Sequence, residues 1–143
     1  VYGAAQGSVR LLQANRAGRA TTVLVLDSSQ NPNVGIAAFR VPVDWEAYYL
    51  QAGWKRDSGH GNIGRGCIGL DRPAAPNYIA YPRRGQPKEQ WLHFAGLAPP
   101  IAEWPAMNCS IFLLNYQDND LAMFDDILFT RVTMPTSSNG LAH

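Results

Sequence analysis

The sequence predicts an all-β fold, an antiparallel jelly-roll-like β-sandwich of about nine strands. Its dominant hydrophobic period is two, which favours strands over helices. Apolar runs of strand length recur every ~8–12 residues between turn-forming residues, as is typical of sandwiches and barrels. The last two runs, 110–116 and 121–133, are long and rich in strand-forming residues. We interpret the polar segment between them, 117–120, as a hairpin turn.

Strands in the first half of the chain alternate with clear turn signals. Segment 21–27 (T-T-V-L-V-L-D) is β-branched and apolar, a pattern that favours a strand. The sequence S-S-Q-N-P-N at 28–33 predicts a turn. The next strand, 34–41, is expected to stop before Pro42. Segment 46–55 (E-A-Y-Y-L-Q-A-G-W-K) includes helix formers, but its aromatic content favours a strand.

The second half of the chain is divided by a glycine-rich segment. Residues 57–66 (D-S-G-H-G-N-I-G-R-G) include four glycines and predict a loop. Shorter strands follow, separated by polar or Pro-rich connections such as 97–105. In chain order, the predicted strands are 8–13, 21–27, 34–41, 46–55, 67–71, 77–81, 89–95, 110–116 and 121–133.

Length and charge limit the domain count and the partners. The 143 residues are enough for one domain with its own core, and too few for two. We assign residues 1–134 to a single β-sandwich and residues 135–143 to a flexible C-terminal tail. A net charge of +1 without a basic stripe argues against a nucleic-acid partner. No apolar run approaches the ~20 residues that cross a bilayer, so no membrane partner is expected.

The two cysteines, Cys67 and Cys109, each lie in a predicted strand. Buried free thiols are the favoured interpretation, because cysteine is among the most buried residue types. A single disulfide between strands or sheets is the alternative, since two cysteines define no framework.

Two adjacent acids, Asp125 and Asp126, interrupt the last apolar strand. A buried carboxylate is costly unless it is paired, hydrogen-bonded or metal-bound. A β-bulge at these acids would reset the register, so that Ile127 and Phe129 face the core. Alternatively, the acids cap turns or pair with Arg131 or a lysine.

Alternation divides segment 48–55 into two faces. The more apolar face is expected to line the core, and it carries Tyr48, Leu50, Ala52 and Trp54. Trp91 is also expected in the core, whereas Trp45 and Trp104 lie next to turns and are candidates for exposure.

The other face of this strand is a candidate glycan-binding surface. Sugars present C–H faces that stack on aromatic rings, while amides and charged groups bond their hydroxyls. The predicted set is Tyr49, Gln51 and Lys55, with Asp71 on a candidate neighbouring strand. Core packing is the alternative, since it accounts for most Trp and Tyr side chains in a domain of this size.

Four segments, in order, resemble strands of a known family. They are V-P-V-D with Y-Y-L-Q-A-G-W-K (41–55), G-C-I-G-L-D (66–71), Q-W-L-H-F-A-G (90–96) and M-F-D-D-I-L-F (123–129). Across residues 8 to 133 the chain resembles carbohydrate-binding-module-like (galactose-binding-like) jelly-roll β-sandwich domains. Similar sandwiches also occur in phage tail and capsid surface proteins.

The resemblance implies a structural calcium ion and no other cofactor. In that family an acid at the closing strand helps to hold the ion, which here points to Asp126, Asp125 and Asp27. Calcium takes six to eight oxygen ligands, so backbone carbonyls would have to complete the site.

The resemblance also implies a non-catalytic glycan-binding module, part of a larger phage tail or secreted protein, at an extracellular or virion surface. The alternative is a structural or decoration (cement) protein of a virion or other large assembly, with neighbouring subunits or copies of itself as partners. Catalysis is not expected, because the histidines are scattered and no nucleophile has a placed base.

Overall fold

A computed structural model describes residues 9–29, 35–44, 46–58, 65–71, 77–80, 86–100, 107–116 and 120–133. These residues form nine strands, as the sequence predicts, and none of them is helical. The strands are β1 (Val9–Arg16), β2 (Arg19–Asp27), β3 (Gly35–Val43), β4 (Tyr48–Ser58), β5 (Arg65–Asp71), β6 (Asn77–Ala80), β7 (Leu92–Ala98), β8 (Met107–Tyr116) and β9 (Leu121–Val132).

The strands form two antiparallel sheets. The five-stranded sheet has the order β1-β2-β9-β4-β7, and the four-stranded sheet has the order β3-β8-β5-β6. The predicted antiparallel jelly-roll-like sandwich is therefore confirmed. We call the side of each sheet that faces the other sheet its inner face, and the opposite side its outer face.

The core between the sheets has two parts. One is built from Leu26, Ile68, Leu113, Ala122 and Phe124, and the other from Ala47, Tyr49, Ala98 and Ile111. Ile127 packs against both parts and joins them. Burial of each large apolar side chain contributes about 1.5–3 kcal/mol, so the inner faces supply most of the stabilisation.

The predicted bulge lies in β9 and is confirmed. Ala52 pairs with Leu128, but Trp54 pairs with Asp125, so one residue more lies on β9 than on β4. Asp126 has a φ of 45°, as expected where an extra residue bends a strand. Phe124 faces the core before the bulge and Ile127 packs against it afterwards.

Gly53 lies opposite the bulge, where neighbouring side chains leave no room for a Cβ atom. A Cβ atom on Gly53 would approach Ile127 Cδ1 to 2.5 Å and Ile68 Cδ1 to 3.1 Å. The glycine therefore makes room for the side chain that the bulge turns inward.

Two expectations about strand ends were wrong. Pro42 does not stop β3, which continues to Val43 with Pro42 opposite Asn108. β3 is the edge strand of its sheet among the described residues, and an edge tolerates a missing N–H. In addition, β8 and β9 are not a hairpin, because they belong to opposite sheets. Of the segment that joins them, residues 117–119 lie outside the described residues.

Cys67 is a free, buried thiol, as favoured from the sequence. It lies opposite Leu114, whereas Cys109 is five positions away on β8, opposite Val41. The alternative of a disulfide between the two cysteines is thereby excluded. Burial raises the pKa of Cys67 to about 12, partly offset by Lys55, so the thiol stays protonated.

Several predictions lie outside the described residues. These are the C-terminal tail, 135–143, and the exposure of Trp45 and Trp104. Among the described residues, no helix has the length and hydropathy needed to cross a bilayer.

β1 and β2 form a hairpin with a two-residue turn. Arg16 pairs with Arg19, and the turn residues Ala17 and Gly18 have φ angles of 53° and 80°. Two positive φ angles are the requirement of a type I′ turn, which favours Asn-Gly over Ala-Gly. The side chain of Asn15 accepts a hydrogen bond from Gly18 N at 2.9 Å and closes the turn.

We expect Ala17→Asn to raise the free energy of unfolding by about 0.5–1 kcal/mol, because Asn adopts a positive φ at lower cost than Ala. Ala17→Val should lower it, since a β-branched residue is strained there. Urea denaturation of the three proteins measures both effects. Equal midpoints for the Asn and Val variants would contradict the described turn.

Candidate functional site

The predicted glycan-binding set does not lie on an outer face. Tyr49, Gln51 and Lys55 lie on the inner face of β4, with exposed fractions of 7%, 2% and 0%. The face assignment from the sequence was therefore wrong. Asp71 is in β5 of the other sheet, and its side chain lies outside what the structure describes. The alternation of side chains divided the two faces of β4 correctly, but their hydrophobicity gave the wrong face as the buried one.

Tyr49 and Gln51 fill one end of the core. The Tyr49 ring stacks on Phe129 with 4.7 Å between ring centroids and 5° between planes. Its hydroxyl accepts a hydrogen bond from Asp44 N at 2.7 Å. Gln51 Nε2 is buried without a hydrogen-bond partner among the described residues. A buried donor without a partner lowers the free energy of unfolding.

Lys55 and Asp57 form a fully buried ion pair on β4. Lys55 Nζ donates to Asp57 Oδ2 at 2.8 Å, to Gly66 O at 2.8 Å and to Gln86 Oε1 at 3.2 Å. Gly66 N donates to Asp57 Oδ1 at 2.5 Å, and the ammonium lies 5.3 Å from the Phe94 ring centroid. These partners compensate the desolvation of both charges, so the network ties β4 to β5.

Arg16 binds both acids of the bulge. Its Nε donates to Asp125 Oδ2 at 2.7 Å, and its Nη2 donates to Asp126 Oδ2. Thr21 Oγ1 also donates to Asp125, at 3.1 Å. The Asp126 amide donates to Asp125 as well, at 2.9 Å, so Asp125 is a buried carboxylate with three donors, and Asp126 is exposed. The sequence analysis offered pairing of these acids with Arg131 or a lysine as an alternative. The acids do pair with a cation, but it is Arg16, and Arg131 pairs with Asp44 instead.

The three acids predicted as calcium ligands do not converge. Asp27 lies opposite Leu121, four residues along β9 from Asp125, which is about 13 Å in an extended strand. Arg10 Nη1 donates to Asp27 at 2.7 Å, and Ser29 donates through its N and Oγ. The described residues include no group of three or more His, Cys, Asp or Glu side chains that could hold a metal ion.

The electrostatics of Asp27 follow from those partners. Burial acts to raise its pKa, but the hydrogen bonds from Ser29 and Arg10 outweigh burial and lower the pKa below its ordinary value. Asp27 is therefore charged near neutral pH and committed to Arg10 and Ser29.

The outer face of the five-stranded sheet carries an aromatic surface that we define as Trp54, Trp91 and His93. Trp54 and His93 pair across β4 and β7, with ring centroids 4.9 Å apart. Trp91 Nε1 donates to Asn15 O at 3.2 Å. His93 is exposed and both tryptophans are half-buried, so the expectation that Trp54 and Trp91 lie in the core was wrong.

The end of the β1–β2 hairpin reaches this aromatic surface. Arg16 lies 4.6 Å from the Trp54 ring centroid, an attractive cation–π distance. Among the described strands β1 pairs only with β2, but Arg16 and Asn15 also contact β9, β4 and Trp91. The long spacing between residues 16, 54, 91 and 125 hides this cluster from any local sequence pattern.

The opposite end of the same outer face is apolar. Leu50 pairs with Leu97 and with Thr130, and the adjacent Ala52 pairs with Leu128. Leu97 and Leu128 are 47% and 44% exposed. We call Leu50, Leu97 and Leu128 the apolar patch.

Comparisons with known proteins find the same fold in solved structures but assign the chain to no family. No family model and no curated protein matches the chain. The CBM22-1 xylan-binding domain from Paenibacillus barcinonensis Xyn10C aligns over 92% of this chain and 86% of its own, at 10% identity and a TM-score of 0.61. TmCBM61, in complex with β-1,4-galactotriose, aligns over 89% and 84%, at 11% identity and a TM-score of 0.57.

A phage protein shares the fold as well. The enzymatically active domain of bacteriophage CBA120 tailspike protein 4 aligns over 87% of this chain, at 10% identity and a TM-score of 0.59. This chain spans 18% of that protein. At such identities the likeness shows the fold alone, and it confirms the predicted resemblance to carbohydrate-binding-module-like jelly-roll sandwiches.

We expect Lys55→Met to lower the free energy of unfolding by about 3–5 kcal/mol, because Asp57 would remain buried without its cation. Arg131→Met is the control. It removes the exposed Arg131–Asp44 pair, whose N–O distance is 3.1 Å, and should cost less than about 1 kcal/mol. Chemical denaturation compares them. A small and equal loss in both variants would contradict the inward position of Lys55.

Proposed function

We propose that the chain is a non-catalytic glycan-binding module of an extracellular or virion-associated protein. The fold supports this proposal, because two solved structures that share it are carbohydrate-binding domains by name. The fold itself hosts many functions, so the argument must rest on a site.

The observation that carries the proposal is the aromatic surface. Trp54, Trp91 and His93 present rings on one outer face, two of them half-buried and one exposed. Arg16 locks Trp54 in place, and the hydrogen bond to Asn15 O orients Trp91. Rings held in fixed orientations lose little entropy when a ligand stacks on them.

Polar atoms lie beside these rings. The imidazole of His93 is exposed, and so is Asn15 at the end of the hairpin. Sugar hydroxyls need such donors and acceptors to replace the water that stacking displaces. The aromatic surface therefore replaces Tyr49, Gln51 and Lys55 as the proposed glycan site.

We expect Trp91→Ala to weaken glycan binding roughly tenfold, since loss of one stacked ring corresponds to about 1.4 kcal/mol. Xylo-oligosaccharides and β-1,4-galacto-oligosaccharides are the ligands to titrate by calorimetry. Tyr48→Ala is the control, because Tyr48 lies at the far end of the same strand, opposite Val132. If neither sugar series binds the unaltered protein at millimolar concentration, the proposal fails.

A second candidate function is a structural or decoration protein in a large assembly, and the apolar patch favours it. Leu97 and Leu128 are exposed on either side of β4, with half-buried Leu50 on the strand between them. Exposed apolar side chains grouped on one face are often covered by another subunit. One solved structure that shares the fold is a domain of a bacteriophage tailspike protein.

For this second function we expect the protein to self-associate through the apolar patch. Leu97→Ser combined with Leu128→Ser should shift the mass in light scattering from oligomer to monomer, because the contact loses its apolar area. Trp91→Ala, at the other end of the face, should leave the mass unchanged. A monomeric unaltered protein at high concentration would count against this function.

A further inference from the structure

A pocket of about 440 Å³ opens between the β1–β2 hairpin and β8. It lies at the bulge of the five-stranded sheet, and its two acids bind Arg16, which also contacts Trp54 of the aromatic surface. Its lining is apolar except for Thr22 and for two aspartates at one end. The lining residues are Leu11, Thr22, Leu24, Ile111, Leu113, Phe124, Ile127, Asp125 and Asp126.

The bulge explains why the core is open there. β2 pairs with β9 only from Leu24 to Asp27, and the rest of the hairpin continues past the bulge without β9 beside it. Leu113 and Phe124 are 2% and 1% exposed, so they form a floor set well into the protein. Leu11 is 70% exposed at the mouth.

The charged end of the pocket is net negative. Asp125 and Asp126 carry two negative charges, and Arg16 supplies one positive charge. Asp125 is satisfied by Arg16, Thr21 and the Asp126 amide. Asp126 binds Arg16 through Oδ2, and its Oδ1 has no hydrogen bond among the described residues. Its side chain is 53% exposed, so Oδ1 is available to a ligand.

We propose that this pocket binds a small amphiphilic amine, with its apolar body on the floor and its ammonium group at Asp126 Oδ1. The volume lies within the range of ligand pockets, ~300–1,000 Å³. A sugar does not suit the floor, because its hydroxyls would find no partner among leucine, isoleucine and phenylalanine side chains. An anion would meet the net negative end.

Three ligands with one shared body test the charge requirement: 4-phenylbutylamine, 4-phenylbutanol and 4-phenylbutyrate. Each has about 12 non-hydrogen atoms or fewer, and an ordinary affinity per atom gives an expected Kd on the order of 1 mM. We expect the amine to bind roughly fivefold more tightly than the alcohol, as one partly exposed ion pair allows. The carboxylate should bind most weakly. NMR titration should shift the amide signals of residues 111, 113, 124 and 127.

Two variants and one control locate the binding. Asp126→Asn keeps a residue that tolerates a positive φ and should make the amine and the alcohol bind equally. Thr22→Trp should fill the mouth and abolish the shifts. Glu89→Gln is the matched control, because Glu89 is an exposed carboxylate paired with Arg56 at 2.9 Å, outside the pocket. It should leave the fivefold preference intact.

The proposal is overturned if the amine leaves the four signals unshifted at 5 mM, or if Asp126→Asn keeps the preference for the amine. Asn has nearly the same size as Asp, so Asp126→Asn leaves the shape of the pocket unchanged. The charge test therefore stands even if Thr22→Trp does not fold. The experiment is independent of glycan binding, since Trp91→Ala should leave amine binding unchanged.

Discussion

Arg16 binds two adjacent carboxylates, those of Asp125 and Asp126, across the bulge in β9. The bulge turns Ile127 inward to join the two parts of the core, and Gly53 leaves the space that Ile127 occupies. Because Arg16 also lies over Trp54, the same contact draws the β1–β2 hairpin onto the sheet. The register of β9 in the core, the position of the β1–β2 hairpin and the orientation of the Trp54 ring therefore all depend on the buried guanidinium of Arg16.

The sandwich tolerates charge inside because its charges are fully partnered. Lys55 has three hydrogen-bond acceptors, and Asp57 receives both the ammonium and the Gly66 amide. Gly66 is required for this arrangement, since a Cβ there would approach Asp57 Oδ1 to 2.9 Å. Such a network is weak evidence for added stability, but removing one member leaves an uncompensated charge.

Three surfaces share the five-stranded sheet and its edges without overlapping. The aromatic surface lies near the hairpin end, the apolar patch lies at the opposite end, and the pocket opens at the bulge. Rings with adjacent polar groups suit a sugar, and exposed leucines suit a protein neighbour. An apolar cavity with a carboxylate at one end suits an amine. The jelly-roll fold alone does not select among these ligands.

The sequence by itself determined the strand count, the all-β class and the bulge, because alternation and turn chemistry are local properties. Two aspartates in an apolar strand were sufficient to predict a register change. Tertiary structure alone decided which face of β4 is buried, since both faces carry apolar residues and only partners from the other sheet distinguish Lys55 from Trp54. It also decided that β8 and β9 lie in different sheets and that Arg16 meets residues more than a hundred positions away. Contacts between distant segments leave no periodic trace in the sequence.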